Sequence, residues 1–375
     1  MSELKAQVEA LPRDVKERLS NYGFDPERLF GLGAKLERGE IDSGVVTGKL
    51  EAPLPGDVVT PPAEGTPEYR AQRERGEQAL RERKVALVVL AGGMATRMGG
   101  VVKALVEALP GKTFLDIRLA EIDALGRRYG KAPPFWLMTS DATDAGIRQA
   151  LGARLDGYDI ATFTQNLSLR LTPDGKLFLG ADQRPSEHAP GHGDLPDALR
   201  HSGLLSKLVE RGGELVLITN LDNLGATLDP ALIGFHLSHP HPITSEVVDK
   251  LADDRGGIPV RVDGKLRILE EFRIPETFDP QTVRVFNTNT FYVDARALVE
   301  LQMNWRFFAV KKKVGDTPVI QFERIINEIT GELSTMYLRL PRDGAASRFL
   351  PVKDPAELER RRPEILAVGQ ARGIL

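Results

Sequence analysis

A short apolar run, Val85–Leu90, ends at Gly92-Gly93 and is followed by Arg97 and Lys103. Two glycines at the carboxyl end of a buried strand let backbone N–H groups approach an anion, and the two cations add positive charge. The spacing is not that of a P-loop, because no Gly-Lys-Ser/Thr follows, nor that of a dinucleotide fingerprint, because Ala95 interrupts the G-x-G pattern. We therefore expect a phosphorylated ligand at this strand end.

A glutamine, Gln165, stands at the end of another predicted strand, Ile160–Thr164. Its carboxamide offers both a donor and an acceptor, which is what the edge of a uracil ring requires. A strand-end glutamine is also a common surface residue. The residue type alone leaves both interpretations open.

A carboxylate follows a third apolar strand, in the sequence ELVLITNLDNLG, which contains Asn220 and Asp222. A carboxylate at the end of a buried strand is costly unless it is paired or bound to a metal. Oxygen ligands suit Mg²⁺, a hard cation that also contacts phosphate. Asp222 is therefore the candidate Mg²⁺ ligand, and an aspartate that merely forms a turn is the alternative.

Glycines also precede a predicted helix, in the run from Pro190 through Gly191, His192 and Gly193 to Asp194. Free N–H groups at a helix N-terminus attract anions, and Asp194 is a plausible N-cap. A capped helix with a flexible entry would explain the same residues.

These motifs, taken with Gly111 to Asp116 and with the late run Leu350-Pro351-Val352-Lys353, resemble the eukaryote-type UDP-glucose pyrophosphorylases, which are UTP-glucose-1-phosphate uridylyltransferases. The resemblance extends from about Leu87 to Lys353. It implies nucleotide contacts at Leu90, Ala91, Gly92, Gly93, Met138, Gln165, Gly191, Asn220 and Asp222. It implies sugar-phosphate contacts at His192, Gly257, Glu270, Asn287 and Asn289.

The resemblance implies formation of UDP-glucose and pyrophosphate from UTP and glucose 1-phosphate. A sugar phosphate is already anionic, so it can attack the α-phosphorus of UTP without a general base, and the site has to supply alignment and positive charge. We assign Lys103 and Lys353 to the two phosphate-bearing substrates, Arg97 to the departing pyrophosphate, and Mg²⁺ to Asp222.

Several residues depart from the family pattern: Ala95 replaces a glycine, Val102 a proline and Leu221 a serine, and the loop before Lys103 is one residue shorter. The family's C-terminal β-helix is not found, so we expect a monomer or a weak dimer. Two alternative functions remain. One is a pyrophosphorylase for N-acetylglucosamine 1-phosphate or a broader range of sugars, although that type usually lacks the histidine and aspartate after Gly191. The other is a catalytically silent sugar-nucleotide-binding protein.

The composition of the 375 residues is that of an ordinary globular protein, with 41% hydrophobic and 27% charged residues and a net charge of −3. No overall positive field favours nucleic acid, and no apolar run is long enough to span a membrane. Without cysteine there is neither a disulfide nor a thiolate nucleophile. We expect a cytoplasmic protein. The cluster His236, His239 and His241 lacks a fourth zinc ligand and is interpreted as structural.

Strands and helices alternate from residue 85, which predicts a doubly wound, mostly parallel sheet. The resemblance makes this a GT-A-like, Rossmann-type nucleotidyltransferase domain at 85–353, after an N-terminal helical segment with a proline-rich connector (1–84) and before a solvated C-terminal helix (354–375). The predicted strands are 85–90, 135–138, 160–164, 215–219, 244–248 and 283–286, with hairpins at 169–179 and 260–269. The predicted helices are 113–129, 142–151, 194–211, 229–237, 295–302 and 319–329, with two more in residues 1–45 and one at 68–83.

Overall fold

The computed structural model describes residues 3–41, 44–95 and 98–375. Its helices are α1 Glu3–Glu9, α2 Arg13–Asn21, α3 Pro26–Glu37, α4 Pro67–Arg81, α5 Phe114–Tyr129, α6 Asp141–Leu151, α7 Leu195–His201, α8 Leu204–Glu210, α9 Pro230–His236, α10 Ala295–Glu300, α11 Ile329–Glu332 and α12 Pro355–Ala371. Its strands are β1 Leu50–Glu51, β2 Val58–Val59, β3 Val85–Leu90, β4 Met94–Ala95, β5 Val101–Val102, β6 Glu107–Leu109, β7 Lys112–Thr113, β8 Phe135–Thr139, β9 Ile160–Thr164, β10 Ser168–Leu169, β11 Glu187–His188, β12 Leu215–Asn220, β13 Ile243–Asp249, β14 Ile258–Val262, β15 Lys265–Leu269, β16 Val285–Asp294, β17 Phe308–Val314, β18 Thr317–Glu323 and β19 Thr335–Arg339.

The central sheet has eight strands within the described residues, in the order β2-β19-β13-β16-β12-β3-β8-β9. All neighbouring pairs are parallel except the two that involve β16, which runs against the others. The predicted mixed, mostly parallel sheet is thus confirmed. The carboxyl ends of the parallel strands share one edge of the sheet, and the first residues of β16 lie at that same edge because β16 is antiparallel.

Both faces of the sheet are buried, as β3 shows. Val85, Leu87 and Val89 belong to one core cluster, whereas Ala86 and Val88 belong to another. Successive side chains of a strand point to opposite faces, so the continuous apolar run is what a strand covered on both sides requires. Helices α4, α5, α9 and α12 contribute to the first cluster, and α7, α8 and α10 to the second. This three-layer packing fixes the strand ends that carry the predicted site.

The predicted helix at 319–329 is wrong. Residues 317–323 form β18, which pairs with β17 in a hairpin around Gly315 at φ +59°. A two-residue turn with a glycine at positive φ suits the twist of antiparallel strands. The turn therefore favours a hairpin here, although the spacing of the apolar residues predicts a helix.

Three other element predictions need correction. The helix predicted at 194–211 is interrupted at Gly203, which has φ +73°, and becomes α7 and α8. Asp194 makes no capping hydrogen bond; its buried carboxylate instead accepts the Asn166 N–H and pairs with Arg324. The strand predicted at 283–286 begins at Val285 and continues to Asp294. The hairpin predicted at 169–179 is reduced to an isolated bridge between Leu171 and Leu177, because β10 pairs with β11 instead. The other predicted strands and helices of the domain are confirmed to within two residues at either end.

The terminal segments pack onto the domain. Helices α1 to α3, one more than expected, bury leucines against Leu167, Leu169 and Phe322. The proline-rich connector contains β2, an edge strand of the central sheet. The tail helix α12 is confirmed as a helix but is not solvated throughout, because Leu358, Ile365 and Val368 are buried in the core. Within the described ranges, every helix is too short or too polar to cross a bilayer.

Candidate active site

A cavity of about 560 Å³ lies at the edge of the sheet where β12 ends and β16 begins. It brings together predicted residues from six separate parts of the chain. The predicted site residues that line it are Lys103, His192, Asn220, Asp222, Gly257, Glu270, Asn287, Asn289 and Lys353. The volume is in the range of small-molecule sites. The spatial convergence on which the sequence interpretation depends is therefore present for these nine residues.

Lys103 and Asp222 form an ion pair in this cavity. Lys103 follows β5 and Asp222 follows β12, and Lys103 Nζ lies 2.8 Å from Asp222 Oδ2. The Val352 N–H donates to the same oxygen at 3.0 Å. Only 13% of the Asp222 side chain and 23% of the Lys103 side chain are exposed. The carboxylate at the strand end is therefore paired, which is how a half-buried charge is tolerated.

Lys353 lies one residue beyond the backbone N–H that bonds Asp222. Its own N–H donates to Glu357 Oε2 at 2.7 Å, which joins the segment to the first turn of α12. The Lys353 side chain is exposed along the cavity wall. Its ammonium has no hydrogen-bond or ion-pair partner within ranges 3–41, 44–95 and 98–375. The cation is thus available to an anionic ligand.

The glycine turn after β3 and Gln165 after β9 lie close together, although β8 stands between these two strands. The Ala91 N–H donates to the Met138 carbonyl at 2.8 Å, which aligns β3 with β8. Gly92 lies so close to Gln165 that a Cβ at Gly92 would stand 2.3 Å from Gln165 Nε2. Gly93 accepts a longer bond, 3.4 Å, from the Lys103 N–H. The loop from Gly92 therefore connects Gln165 with the ion pair.

Other predicted nucleotide contacts do not line the cavity. Met138 is a residue of β8 whose side chain is completely buried in the core, so it does not reach the surface. Ala91 is also buried, and Leu90 is half-buried. Gly191, at φ +90°, lies against the Arg324 carbonyl, where a Cβ would approach to 2.8 Å. Arg97 lies outside the described residues.

Three asparagines form a hydrogen-bonded cluster where β12 and β16 meet. Asn289 Nδ2 donates to Asn220 Oδ1 at 2.9 Å, and the Asn289 N–H donates to Asn287 Oδ1 at 3.1 Å. Asn289 has φ +57°, a strained conformation that asparagine tolerates better than most residues and that often marks a functional position. Asn289 Oδ1 is buried and has no hydrogen-bond partner in the described part of the chain. This oxygen can accept a hydrogen bond from a ligand.

Two further lining residues, Glu270 and His192, have perturbed pKa values. Burial raises the pKa of Glu270 from 4.5 to about 7, and Asn327 Nδ2 donates to its carboxylate. Burial lowers the pKa of His192 from 6.5 to about 4. His192 Nδ1 accepts the Ile326 N–H at 3.1 Å, so the neutral ring carries its proton on Nε2. His192 is therefore an uncharged donor at neutral pH.

Several residues of the cavity were not predicted. Arg342 forms a two-pronged ion pair with Asp254, with N–O distances of 2.7 and 2.8 Å. Helix α12 contributes a charged face comprising Glu357, Arg360, Arg361 and Glu364. Their spacing of three, one and three residues places them on one side of a helix, and this signal, directly after Lys353, could have identified them.

The three histidines of HLSHPH are held by hydrogen bonds. His236 Nδ1 lies 2.8 Å from Thr244 Oγ1, and its Nε2 lies 3.0 Å from Asp294 Oδ1. His239 Nε2 bonds the same threonine at 2.8 Å. These contacts join α9 to β13 and β16, and none of the three histidines lines the cavity, so we assign them a structural role.

The fold and the cavity define an α/β nucleotidyltransferase. The family model of UTP–glucose-1-phosphate uridylyltransferase matches residues 52–365, which include the whole of the domain predicted at 85–353. The chain belongs to the UTP–glucose-1-phosphate uridylyltransferase family.

Relatives from several eukaryotes are similar over most of the chain. The UTP–glucose-1-phosphate uridylyltransferase of Astragalus penduliflorus is 28% identical over 96% of this chain and 76% of that protein. The Hordeum vulgare protein of the same name is 29% identical over 92% of this chain and 75% of its own length. The chain thus spans about three quarters of these relatives.

Solved structures have the same fold at lower identity. A UDP-glucose phosphorylase from Trypanosoma brucei is 23% identical, with a TM-score of 0.74 over 92% of this chain and 77% of that chain. A UDP-glucose pyrophosphorylase variant from Leishmania major, in complex with UDP-glucose, is 24% identical, with a TM-score of 0.72 over 96% and 78% of the two chains. The predicted nucleotidyltransferase fold is therefore confirmed.

Proposed function

We propose that this protein transfers a uridylyl group from UTP to glucose 1-phosphate, forming UDP-glucose and pyrophosphate. The observation that carries the proposal is the meeting of Lys103, Asp222 and Lys353 at one cavity, joined through Gly93 to the loop beside Gln165. The membership of the family supports the reaction type. A cavity that only bound a sugar nucleotide would have no need for all three charged residues.

The proposed step is an in-line displacement at the α-phosphorus of UTP. A phosphate oxygen of glucose 1-phosphate forms the new P–O bond, and the bond from the α-phosphorus to the β-phosphate oxygen breaks, so that pyrophosphate leaves with that oxygen and its electron pair. No proton has to be removed, because the attacking phosphate is already an anion. The protein contributes alignment and compensation of negative charge.

We assign Lys103 and Lys353 to the phosphate groups, and Arg97 to the departing pyrophosphate. Lys353 lines the cavity, and its ammonium has no partner among the residues that the structure describes. Asp222 already holds the Lys103 ammonium in place, so a phosphate oxygen can bind it without a rearrangement of the side chain. A preorganised cation loses little freedom when the transition state forms.

Asp222 is also the proposed Mg²⁺ ligand. Lys103 and Val352 both bond Oδ2, and no partner from the described residues bonds Oδ1. The described residues contain no group of three or more acidic or histidine side chains that could hold a metal by itself. This donor set fits a cation that is bound by one carboxylate and the substrate phosphates. Bound there, Mg²⁺ would neutralise phosphate charge.

A second group of lining residues is assigned to glucose 1-phosphate. Asn289 Oδ1 and the Glu270 carboxylate offer acceptors for sugar hydroxyls, whereas His192 Nε2 and the Gly257 N–H offer donors. Neutral His192 can donate to a phosphate or sugar oxygen at neutral pH because burial keeps its pKa at about 4. We propose that uracil is recognised by the Gln165 carboxamide, which can bond both a carbonyl and a ring N–H.

The test is pyrophosphate release from UTP and Mg²⁺ with three separate sugar 1-phosphates: glucose, galactose and N-acetylglucosamine. We expect the highest kcat/KM with glucose 1-phosphate, and little turnover when CTP or ATP replaces UTP. A higher kcat/KM with N-acetylglucosamine 1-phosphate would show that the sugar assignment is wrong. Binding of UDP-glucose without turnover of any sugar would identify a silent binding protein instead.

A further inference from the structure

Two parts of the chain hold the proposed catalytic residues and are hydrogen-bonded directly to each other. We call residues 221–228 the Asp222 loop and residues 347–353 the Lys353 segment. Asn223 Nδ2 donates to the Arg348 carbonyl at 3.1 Å, and Asn223 Oδ1 accepts the Leu350 N–H at 2.8 Å. The Val352 N–H then bonds Asp222. The positions of Asp222 and Lys353 are therefore linked through the contact between loop and segment.

The contact is tight at Gly225. A Cβ at this position would stand 2.8 Å from the Arg348 carbonyl carbon and 2.9 Å from the Phe349 nitrogen. Both are backbone atoms, which cannot rotate away as the end of a side chain can. The Asp222 loop and the Lys353 segment thus pack backbone against backbone, with no space for even a methyl group.

The guanidinium of Arg372 forms hydrogen bonds to both the Asp222 loop and the Lys353 segment. Arg372 caps the C-terminal end of α12, whose opposite end follows Lys353. Its Nη1 donates to the Gly225 carbonyl at 2.5 Å and to Thr227 Oγ1 at 2.9 Å, and its Nη2 donates to the Ser347 carbonyl at 2.7 Å. The planar guanidinium of an arginine can donate to three acceptors on two separate segments, whereas the ammonium group of a lysine does not have this geometry.

A second arginine, which is buried, joins the Asp222 loop and the Lys353 segment to the central sheet. Arg348 is 3% exposed; its guanidinium pairs with Glu246 of β13 and donates to the Thr227 carbonyl at 3.0 Å. Arg348 Nη1 also lies 3.3 Å from Thr227 Oγ1, the atom that Arg372 bonds. Burial, with the charge of Arg348 as a second cause, lowers the pKa of Arg372 to about 10. A pKa of about 10 still leaves Arg372 charged at neutral pH.

We propose that Arg372 is a positioning residue for uridylyl transfer, holding the Asp222 loop and the Lys353 segment in the register that the α-phosphorus needs. The inference rests on the proposed function. Arg372 touches neither Asp222 nor Lys353 and acts through Gly225 and Ser347. A displacement of about 1 Å at a reacting group can lower a rate about 100-fold, so an indirect contact of this kind can matter for catalysis.

The experiment compares Arg372→Ala and Arg372→Lys with a matched control, Arg83→Ala. Arg83 also joins two loops, by bonds to the Ala132 carbonyl and to Asp159, and is only 17% exposed. It lies at the amino end of β3, opposite the edge that holds the cavity. Loss of a buried guanidinium should lower the melting temperature of both proteins, but only the Arg372 variants should lose catalytic rate.

We expect Arg372→Ala to lower kcat about 10- to 100-fold while the KM values of UTP and glucose 1-phosphate change less than about threefold, since other residues hold the uracil and the sugar. Arg372→Lys should not restore the rate. Guanidinium chloride at millimolar concentration should restore part of the kcat of Arg372→Ala, because a cavity of about 200 Å³ borders Arg372 and admits the ion. Hydrogen exchange at Leu350 and Val352 should be faster in the variant.

The inference is overturned if Arg372→Ala has a kcat within twofold of the wild type, or if its kcat falls no more than that of Arg83→Ala at equal loss of stability. If Arg372→Ala does not fold, kcat and KM are measured in Arg372→Lys and Gly225→Ala instead. Gly225→Ala pushes the Asp222 loop away from the backbone of the Lys353 segment, so it tests the same contact. An inactive wild type would reject the proposed function. An active wild type with an equally active Arg372 variant rejects only the positioning role.

Discussion

Lys103 Nζ lies 2.8 Å from Asp222 Oδ2, although 119 positions of sequence separate the two residues. The pair stands at the carboxyl edge of the sheet, between the glycine turn after β3 and the loop after β12. Each charge compensates the other, so the cavity contains an ordered cation and an ordered carboxylate before any ligand binds. An anionic substrate and a metal ion would therefore meet partners that are already in place.

Replacing Asp222 by asparagine removes the carboxylate from this pair. We expect Asp222→Asn to raise the Mg²⁺ concentration for half-maximal activity by about 10-fold or more, because an amide attracts a divalent cation less strongly than a carboxylate does. Initial rates measured against Mg²⁺ concentration test this, with Asp123→Asn, an exposed partner of Arg154, as the control. An unchanged Mg²⁺ requirement would place the metal ligand elsewhere.

Lys353 is predicted to act on the rate and not on stability. Lys353→Ala should lower kcat about 100- to 1,000-fold, because a cation aimed at transition-state charge is lost. Its side chain is exposed, so the melting temperature should stay close to that of the wild type. Lys131→Ala, an exposed lysine before β8, is the control. Near-normal turnover in Lys353→Ala would remove this lysine from the mechanism.

Gly92 is predicted to leave room for the Gln165 carboxamide, the proposed contact of uracil. A Cβ there would stand 2.3 Å from Gln165 Nε2, so Gly92→Ala must displace the carboxamide. One lost hydrogen bond of about 1–1.5 kcal/mol corresponds to roughly a 10-fold higher KM for UTP. Discrimination between UTP and CTP should weaken by a similar factor. Gly31→Ala, in α3, meets no atom within 4 Å and serves as the control.

A KM for UTP that stays the same in Gly92→Ala, with the same preference over CTP, would show that Gln165 does not read the base. If the variant instead loses kcat while the KM for UTP is unchanged, the glycine acts on the phosphates through its neighbour Gly93.

Glu270 gives a pH-dependent prediction. Its pKa is raised from 4.5 to about 7 by burial, so between these values the folded protein binds more protons at this group than the unfolded chain does. Stability from this group is therefore lost as pH rises from 4.5 to 7, with a total of roughly 3 kcal/mol for the shift. Glu270→Gln cannot ionise and should avoid that loss.

The measurement is the free energy of urea unfolding of wild type and Glu270→Gln from pH 4.5 to 8. The variant should be no more stable than the wild type near pH 4.5 and progressively more stable up to pH 7, with a constant difference above. The effects of buried histidines cancel in the difference, because both proteins contain them. A difference that does not change with pH would contradict the raised pKa.

The sequence predicted the elements best where local pattern and environment agree. β3 and β9 have the predicted bounds, and in β3 the continuous apolar run is what a strand covered on both faces requires. The pattern is misleading at residues 319–329, where Val319, Ile320 and Phe322 lie in a run of consecutive buried residues of a hairpin strand and not on one face of a helix. The position of Asp194 before a helix is local information, and it predicts an N-cap. The pairing of Asp194 with Arg324 depends on a residue distant in sequence, so no local pattern reveals it.

The sequence by itself determined which residue types follow each strand: glycines after β3, a glutamine after β9, an aspartate after β12 and a lysine shortly before α12. Parallel strands end at one edge, so these side chains had to meet there. Only the tertiary structure decided their partners. Three facts depend on distances between elements: Asp222 bonds Lys103 and the Val352 N–H, the side chain of Met138 is buried in the core, and Arg372 bonds the Asp222 loop at Gly225. Such distances are set by how the layers pack, and no local pattern of residues encodes them.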